Sequence, residues 1–108
     1  MSINHQTTLI DYYTYLVENV RVSDTKLVPH LLQSGVLDEQ EVDEIKSKRT
    51  EQDKTDALLH CIMRTSARQY RSFLWALIDS DQEFICIKLK QARGKPDLLF
   101  IMLILLHL

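Results

Sequence analysis

The chain has 108 residues, of which 45% are hydrophobic and 26% charged, with only two glycines and two prolines. This composition is typical of a single globular domain that buries a core without disulfides, and the scarcity of helix breakers favours helices over strands. The formal net charge of −2 argues against a general nucleic-acid-binding protein.

The first predicted helix covers about residues 7–20, where apolar side chains recur at the three- and four-residue spacing of one buried face. Tyr12 and Tyr15 lie off that face and are expected to be partly exposed. The second helix is predicted to begin near Asp24 or Thr25, since either side chain can cap a helix N-terminus.

The second helix contains Pro29 about one turn after its start, so the proline either trims the start or kinks the first turn. Gly35 is expected to end the helix as a left-handed C-terminal residue, with Val36 and Leu37 pinning the turn to the core. The predicted apolar side of the helix consists of Leu27, Val28, Leu31 and Leu32.

A short third helix is predicted after Asp38, which is expected to cap it, with Glu41 three residues later in a capping-box arrangement. Val42 and Ile45 are its main apolar residues. Acids crowd its N-terminal half, where the positive end of the helix dipole favours them. These acids are Asp38, Glu39, Glu41, Asp43 and Glu44.

Three more helices complete the predicted bundle. Thr50 caps the fourth, with Asp53 at the capping-box position; the fifth covers about residues 67–78, and the sixth opens at residues 79–81. Six helices joined by short connections imply a compact antiparallel bundle. The residues expected to face the core are Ala57, Leu58, Cys61 and Ile62, then Tyr70, Phe73, Leu74 and Leu77, and finally Phe84, Ile85 and Leu89.

The sequence contains no motif typical of a catalytic, cofactor or metal site. Cys61 and Cys86 lie in apolar helical stretches without metal-ligand spacing, and we interpret them as buried thiols in a reducing cytosol. His60 precedes Cys61, but adjacent helix positions point about 100° apart, which is poor geometry for a base and its nucleophile. We therefore expect no enzyme and no cofactor.

The strings LVENV, GVL, T-x-x-D-K and Y-x-x-F-L-x-A-L occur in this order around the acidic third helix. In order and spacing they resemble a caspase-recruitment domain of the death-fold superfamily, over about residues 8–93. The resemblance implies an all-α, six-helix antiparallel Greek-key bundle, with the domain at residues 5–94. It also implies association with other caspase-recruitment domains, in caspases, adaptors or receptors of apoptotic or inflammatory signalling.

Family members usually dock an acidic face on the second and third helices against a basic face on the first and fourth. The five acids of the third helix would supply the acidic face, although acids also simply solvate surface helices. The basic candidates are Arg21 and Lys54, since Tyr13 and Tyr15 stand where caspases of the family often carry arginine. The chain is thus expected to act as the acidic partner.

Charge is unevenly distributed along the chain. Residues 1–45 carry eight acids and two bases, whereas residues 46–108 carry seven acids and eleven bases. This polarity bears on the choice of partner. The later bases that could form a separate patch are Arg64, Arg68, Arg71, Lys88, Lys90 and Arg93.

Two features keep several interpretations open. Trp75 is either a half-exposed interface anchor or a packed edge of the core. Residues 95–108 form a tail with nine unbroken apolar residues at 98–106, too short to span a membrane. The tail could pack on the bundle or on a neighbouring chain, seek membranes or aggregate, or come from a truncated or spliced gene model.

Together these features predict a cytoplasmic, non-catalytic interaction module that regulates apoptosis or inflammatory signalling as an adaptor or decoy, with homo-oligomers as a further option. The first residues lack a secretory signal, which makes the cytoplasm the default. The alternatives are a membrane-associated helical protein dominated by its apolar tail and a sister death-fold interaction domain.

Overall fold

The computed structural model describes residues 5–91 and residue 106, and residues 5–91 form seven α-helices with no strand among them. The predicted all-α class is confirmed. In chain order the helices are α1 (His5–Asp11), α2 (Tyr13–Asn19), α3 (Leu27–Gln33), α4 (Glu39–Ser47), α5 (Glu51–Met63), α6 (Ala67–Asp79) and α7 (Glu83–Gln91).

The predicted first helix is in fact two helices, so the count of six is wrong. The break lies at Tyr12, whose φ of −110° and ψ of 19° leave the helical range. The Lys88 ammonium of α7 lies 5.9 Å from the Tyr12 ring centroid and 5.4 Å from that of Tyr15. These tertiary contacts surround a break that no proline or glycine marks in the sequence.

Helix α3 begins at Leu27, later than predicted. Asp24 does not cap it, because Lys26 is the residue directly before the helix. Asp24 instead has a φ of +61°, in the left-handed region that aspartate tolerates. The Thr25 hydroxyl accepts a hydrogen bond from the Leu27 N–H at 3.3 Å. Pro29 is the third helical residue, where the N–H has no acceptor within the helix, so the proline trims the start.

The turn after α3 is the one that Gly35 was predicted to form. Gly35 has a φ of +80°, and its N–H donates to the Leu32 carbonyl at 3.2 Å. The Val36 N–H donates to the Leu31 carbonyl at 3.0 Å, which completes a Schellman motif. Val36 and Leu37 are then buried, as predicted, and fix the direction in which the chain enters α4.

Side-chain caps open the next helices. The Asp38 carboxylate accepts the Glu41 N–H at 2.8 Å and the Glu41 carboxylate accepts the Asp38 N–H at 2.9 Å, so the predicted capping box is confirmed. Thr50 caps α5 by accepting the Asp53 N–H. Ser66 and Gln69 form a second capping box at the start of α6, which the sequence analysis missed although its spacing is visible.

The core draws on all seven helices, Ala57 packs against it while partly buried, and two predicted core residues are exposed. Leu32 is 38% exposed and Phe84 is 52% exposed. In α7 Ile85 and Leu89 are buried against the core. Phe84 is rotated by about 100° around the helix axis from Ile85 and therefore faces away from the core. Most of the tail lies outside the described residues. The largest fully buried side chains are Leu9, Leu16, Leu27, Leu31, Ile45, Leu58, Leu59, Ile62, Phe73, Leu77, Ile85 and Leu89.

Candidate interaction surface

The five acids predicted as one face lie on two flanks of α4. Val42 and Ile45 face the core. With about 100° between successive residues, Glu39 and Asp43 come to one side of that buried line, here called the outer flank. On the same geometry Glu41 and Glu44 come to the other side, the inner flank. The structure therefore does not bring all five carboxylates together.

The inner flank faces α5, and Glu41 on this flank already has internal contacts. Glu41 is half-buried and belongs to the capping box with Asp38. Its second carboxylate oxygen lies 3.5 Å from an Arg64 guanidinium nitrogen. Glu44 lines the groove between α4 and α5 together with Cys61 and Arg64. Glu41 thus helps to hold α4 in place, so reversing its charge would disturb the fold as well as any partner contact.

The outer flank is open to solvent. Glu39 and Asp43 are both exposed, and in the described part of the chain neither side chain has a hydrogen bond or ion pair. Lys46 is exposed one turn after Asp43 and ends the acidic flank. In residues 5–91 the carboxylates of Glu39, Asp43 and Glu44 have no hydrogen bond or ion pair, and of these three Glu39 and Asp43 lie on the open flank.

The two predicted basic residues come to the same end of the bundle. The Arg21 side chain is exposed and lines a surface cleft together with Thr50 and Glu51. The Lys54 ammonium donates to the Ser23 hydroxyl at 2.9 Å and is half-buried. Arg21 is therefore open to a partner, whereas Lys54 is partly used within the fold.

Glu51 lies between these bases and organises the connection from α2 to α3. Its carboxylate accepts hydrogen bonds from the N–H groups of Val22 and Ser23. Partial burial alone would raise the pKa of Glu51, but these hydrogen bonds and the nearby Lys54 ammonium hold that pKa below its ordinary value. Glu51 is thus ionised at neutral pH and offsets part of the local positive charge.

Sequence reasoning missed further bases at this end of the molecule. Lys48 and Arg49 are exposed in the connection between α4 and α5, directly before Thr50, which borders the cleft with Arg21. The signal was present in the sequence, since Lys46, Lys48 and Arg49 lie within the five residues that follow the acidic cluster. The basic surface is therefore better supplied than Arg21 and Lys54 alone indicate.

The cysteines have the environment of structural thiols. Burial raises the pKa of Cys61 to about 11, helped by the nearby Glu41 carboxylate, and raises that of Cys86 to about 12. His60 is exposed, and its ring Nδ1 lies 2.8 Å from the Asp56 carbonyl oxygen. Both thiols are protonated at neutral pH and are therefore poor nucleophiles.

Trp75 of α6 is 37% exposed, so it lies at the edge of the core and is still accessible at the surface.

Within residues 5–91 and residue 106, no group of three or more His, Cys, Asp or Glu side chains could hold a metal ion. None of the described helices is long and apolar enough to cross a membrane.

Comparisons with known proteins agree with the geometry. The family model described as Caspase recruitment domain matches residues 6–90, which is most of the chain. A search of curated proteins gave no match.

Proposed function

The chain belongs to the caspase recruitment domain family, and we propose that it regulates apoptotic or inflammatory signalling by docking on other caspase recruitment domains, as an adaptor or decoy. Domains of this family are non-catalytic protein-interaction modules. We further propose a domain at residues 5–94 with the Greek-key connectivity of the family, and a cytoplasmic location. The family match favours a caspase recruitment domain over a sister death-fold domain.

We infer that the outer flank of α4 is the acidic docking surface. One observation carries this inference: Glu39 and Asp43 are exposed one helical turn apart, with no partner in the described residues. Two unneutralised carboxylates on one line repel each other, and a partner's guanidinium or ammonium groups relieve that repulsion. Such complementarity steers encounter and selects partners more than it adds affinity.

The basic end of the bundle supplies the opposite surface of the same module. Arg21, Lys48 and Arg49 are exposed there. Lys54 lies at the same end, half-buried and hydrogen-bonded to Ser23. A module with both surfaces can bind one partner through its acids and another through its bases. This arrangement suits an adaptor, whereas a decoy needs only the acidic surface.

Capture by purified caspase recruitment domains tests the acidic surface. The full-length double variant Glu39→Lys, Asp43→Lys should lose capture by a panel of immobilised domains that bind the unmodified chain. Its helical circular-dichroism spectrum should be unchanged, because both side chains are exposed and neither has a hydrogen bond or ion pair in the described fold.

A matched control has the same change in net charge. Asp11→Lys with Glu18→Lys alters two exposed acids of α1 and α2 and should leave capture within about twofold of the unmodified chain. Retained capture by the Glu39, Asp43 variant would remove the outer flank from the docking surface. Equal loss in both variants would assign the effect to net charge alone.

A further inference from the structure

The outer side of α6 presents a compact set of basic and aromatic side chains. Arg68, Arg71 and Trp75 are all exposed and follow one another at spacings of three and four residues, so they lie on one line of the helix. We call this line the α6 stripe. Asp79 continues the line one turn further, where its carboxylate lies 3.0 Å from His30.

The two arginines of the α6 stripe are not used by the fold. Their side chains are exposed, and in the described residues neither has an ion pair or a hydrogen bond. A guanidinium presents a planar fork of donors that matches a carboxylate with two parallel hydrogen bonds. A stripe of this kind therefore fits carboxylates held about one helical turn apart.

The outer flank of α4 has that spacing. Glu39 and Asp43 are separated by about 6 Å along the α4 axis, and Arg68 and Arg71 by about 4.5 Å along α6, at a rise of roughly 1.5 Å per residue. A difference of about 1.5 Å is within the reach of arginine side chains. Two helices can therefore lie against each other with each guanidinium facing one carboxylate.

Within residues 5–91 of one molecule, the arginines of the α6 stripe form no ion pairs with the carboxylates of the outer flank. No ion pair joins α4 to the α6 stripe in the described part of the chain, and α3 packs against both helices. We propose that the α6 stripe of one molecule docks on the outer flank of α4 of a second copy. Trp75, next to Arg71 on the stripe, adds apolar area to this contact.

This proposal rests on the proposed function in one respect, since it uses the same acids of α4, but the α6 stripe is a surface of its own. The contact joins unlike surfaces, so a pair of molecules retains one free acidic flank and one free stripe. Because both sides are exposed and ionic, added salt should weaken the contact. Association through the apolar tail would instead persist or strengthen in salt.

Sedimentation velocity of the full-length chain at about 50 mM and about 500 mM NaCl provides the test. The unmodified chain should self-associate with rising concentration at low salt and dissociate at high salt. The double variant Arg68→Glu, Arg71→Glu should raise the dissociation constant of self-association by about tenfold or more, with an unchanged circular-dichroism spectrum. Glu39→Lys with Asp43→Lys should have the same effect.

Mixing the two double variants sharpens the test. The first keeps an intact α4 flank and the second an intact α6 stripe, so the mixture should form heterodimers although neither variant associates alone. The variant Lys48→Glu, Arg49→Glu removes two exposed bases of the basic end and compares that surface with the α6 stripe. Self-association should persist in it, whereas equal loss would place the contact on the basic end.

Several results would overturn the proposal. A chain that stays monomeric at low salt, association that survives in the α6 variant, or equal loss in the Lys48, Arg49 variant would each do so. Failure of the mixture to form heterodimers would do the same. Capture by other caspase recruitment domains is measured separately. If capture depends on Glu39 and Asp43 while self-association ignores the α6 stripe, the proposed function stands and this inference fails.

Discussion

Polar side chains do different things at two places in this molecule. Around the α2–α3 connection, Glu51 and Gln82 reach across the bundle and bind backbone groups of Val22, Ser23 and Arg21. On the outer flank of α4, Glu39 and Asp43 bind nothing in the described residues. A polar residue inside a contact network stabilises the fold, whereas one without partners is available to another molecule. The number of charges in a segment does not distinguish the two.

The largest effect is expected at Gln82. Its side chain is 3% exposed, accepts the Arg21 N–H at 2.7 Å and donates to the Arg21 carbonyl at 2.9 Å. Gln82→Ala leaves the part-buried Arg21 N–H without its acceptor, whereas the Arg21 carbonyl keeps the Thr25 hydroxyl as a donor, and the change should lower the free energy of unfolding by about 2–3 kcal/mol. Urea denaturation measures this free energy, with Gln40→Ala at an exposed position of α4 as the control. A loss below about 0.5 kcal/mol would mean that water replaces these bonds.

Glu51 should make stability depend on pH. Its folded pKa is below the ordinary value of 4.5, so its contribution is complete above about pH 4.5 and is lost as the pH falls through the lowered pKa. Glu51→Gln should reduce stability at pH 7 by about 1–2 kcal/mol and by less at pH 3. Denaturation at both pH values tests this, with exposed Glu18→Gln as the control. If the stability difference between the unmodified chain and Glu51→Gln were the same at both pH values, the lowered pKa of Glu51 would be contradicted.

Two neighbouring acids of α4 should differ in their effect on stability. Asp38→Ala removes the capping box and should cost about 1 kcal/mol. Glu39→Ala, one residue further on, removes a carboxylate without partners in the described residues and should change stability by less than about 0.5 kcal/mol. Thermal denaturation of both variants compares them directly. Equal losses would show that helix-dipole effects outweigh the cap.

The smallest difference is expected between the two basic candidates. Lys54→Met removes the hydrogen bond to Ser23 and a charge near Glu51, and should cost about 0.5 kcal/mol. Arg21→Met removes an exposed side chain and should be close to neutral in stability. Chemical denaturation of the pair tests this, and the reverse order would place Arg21 in the fold and leave Lys54 free.

Local signals in the sequence predicted the parts of the fold that local chemistry determines. Gly35 and the Asp38–Glu41 cap are where the pattern placed them, because a left-handed turn and a capping box depend on few neighbouring residues. The break at Tyr12 and the exposure of Phe84 were missed. Both depend on how α7 lies against the rest of the bundle, which periodicity does not contain.

The candidate site was predicted in composition but not in arrangement. The acids of α4 were identified as a set, yet the helical period divides them into two flanks, and only the contacts of Glu41 with Asp38 and Arg64 show which flank is engaged. Lys54 was likewise chosen without its bond to Ser23. Spacing predicts which side chains share a face, whereas availability depends on partners far away in the chain.

The bonds between Gln82 and Arg21 also have a consequence for synthesis. They join residues 61 positions apart, so the backbone of the α2–α3 connection has to wait for α7 before its hydrogen bonds are complete. Closing so long a loop costs entropy that local helix formation does not recover. A nascent chain that ends before Gln82 should therefore hold helices without a finished domain, and the domain should mature only once Gln82 and α7 have left the ribosome.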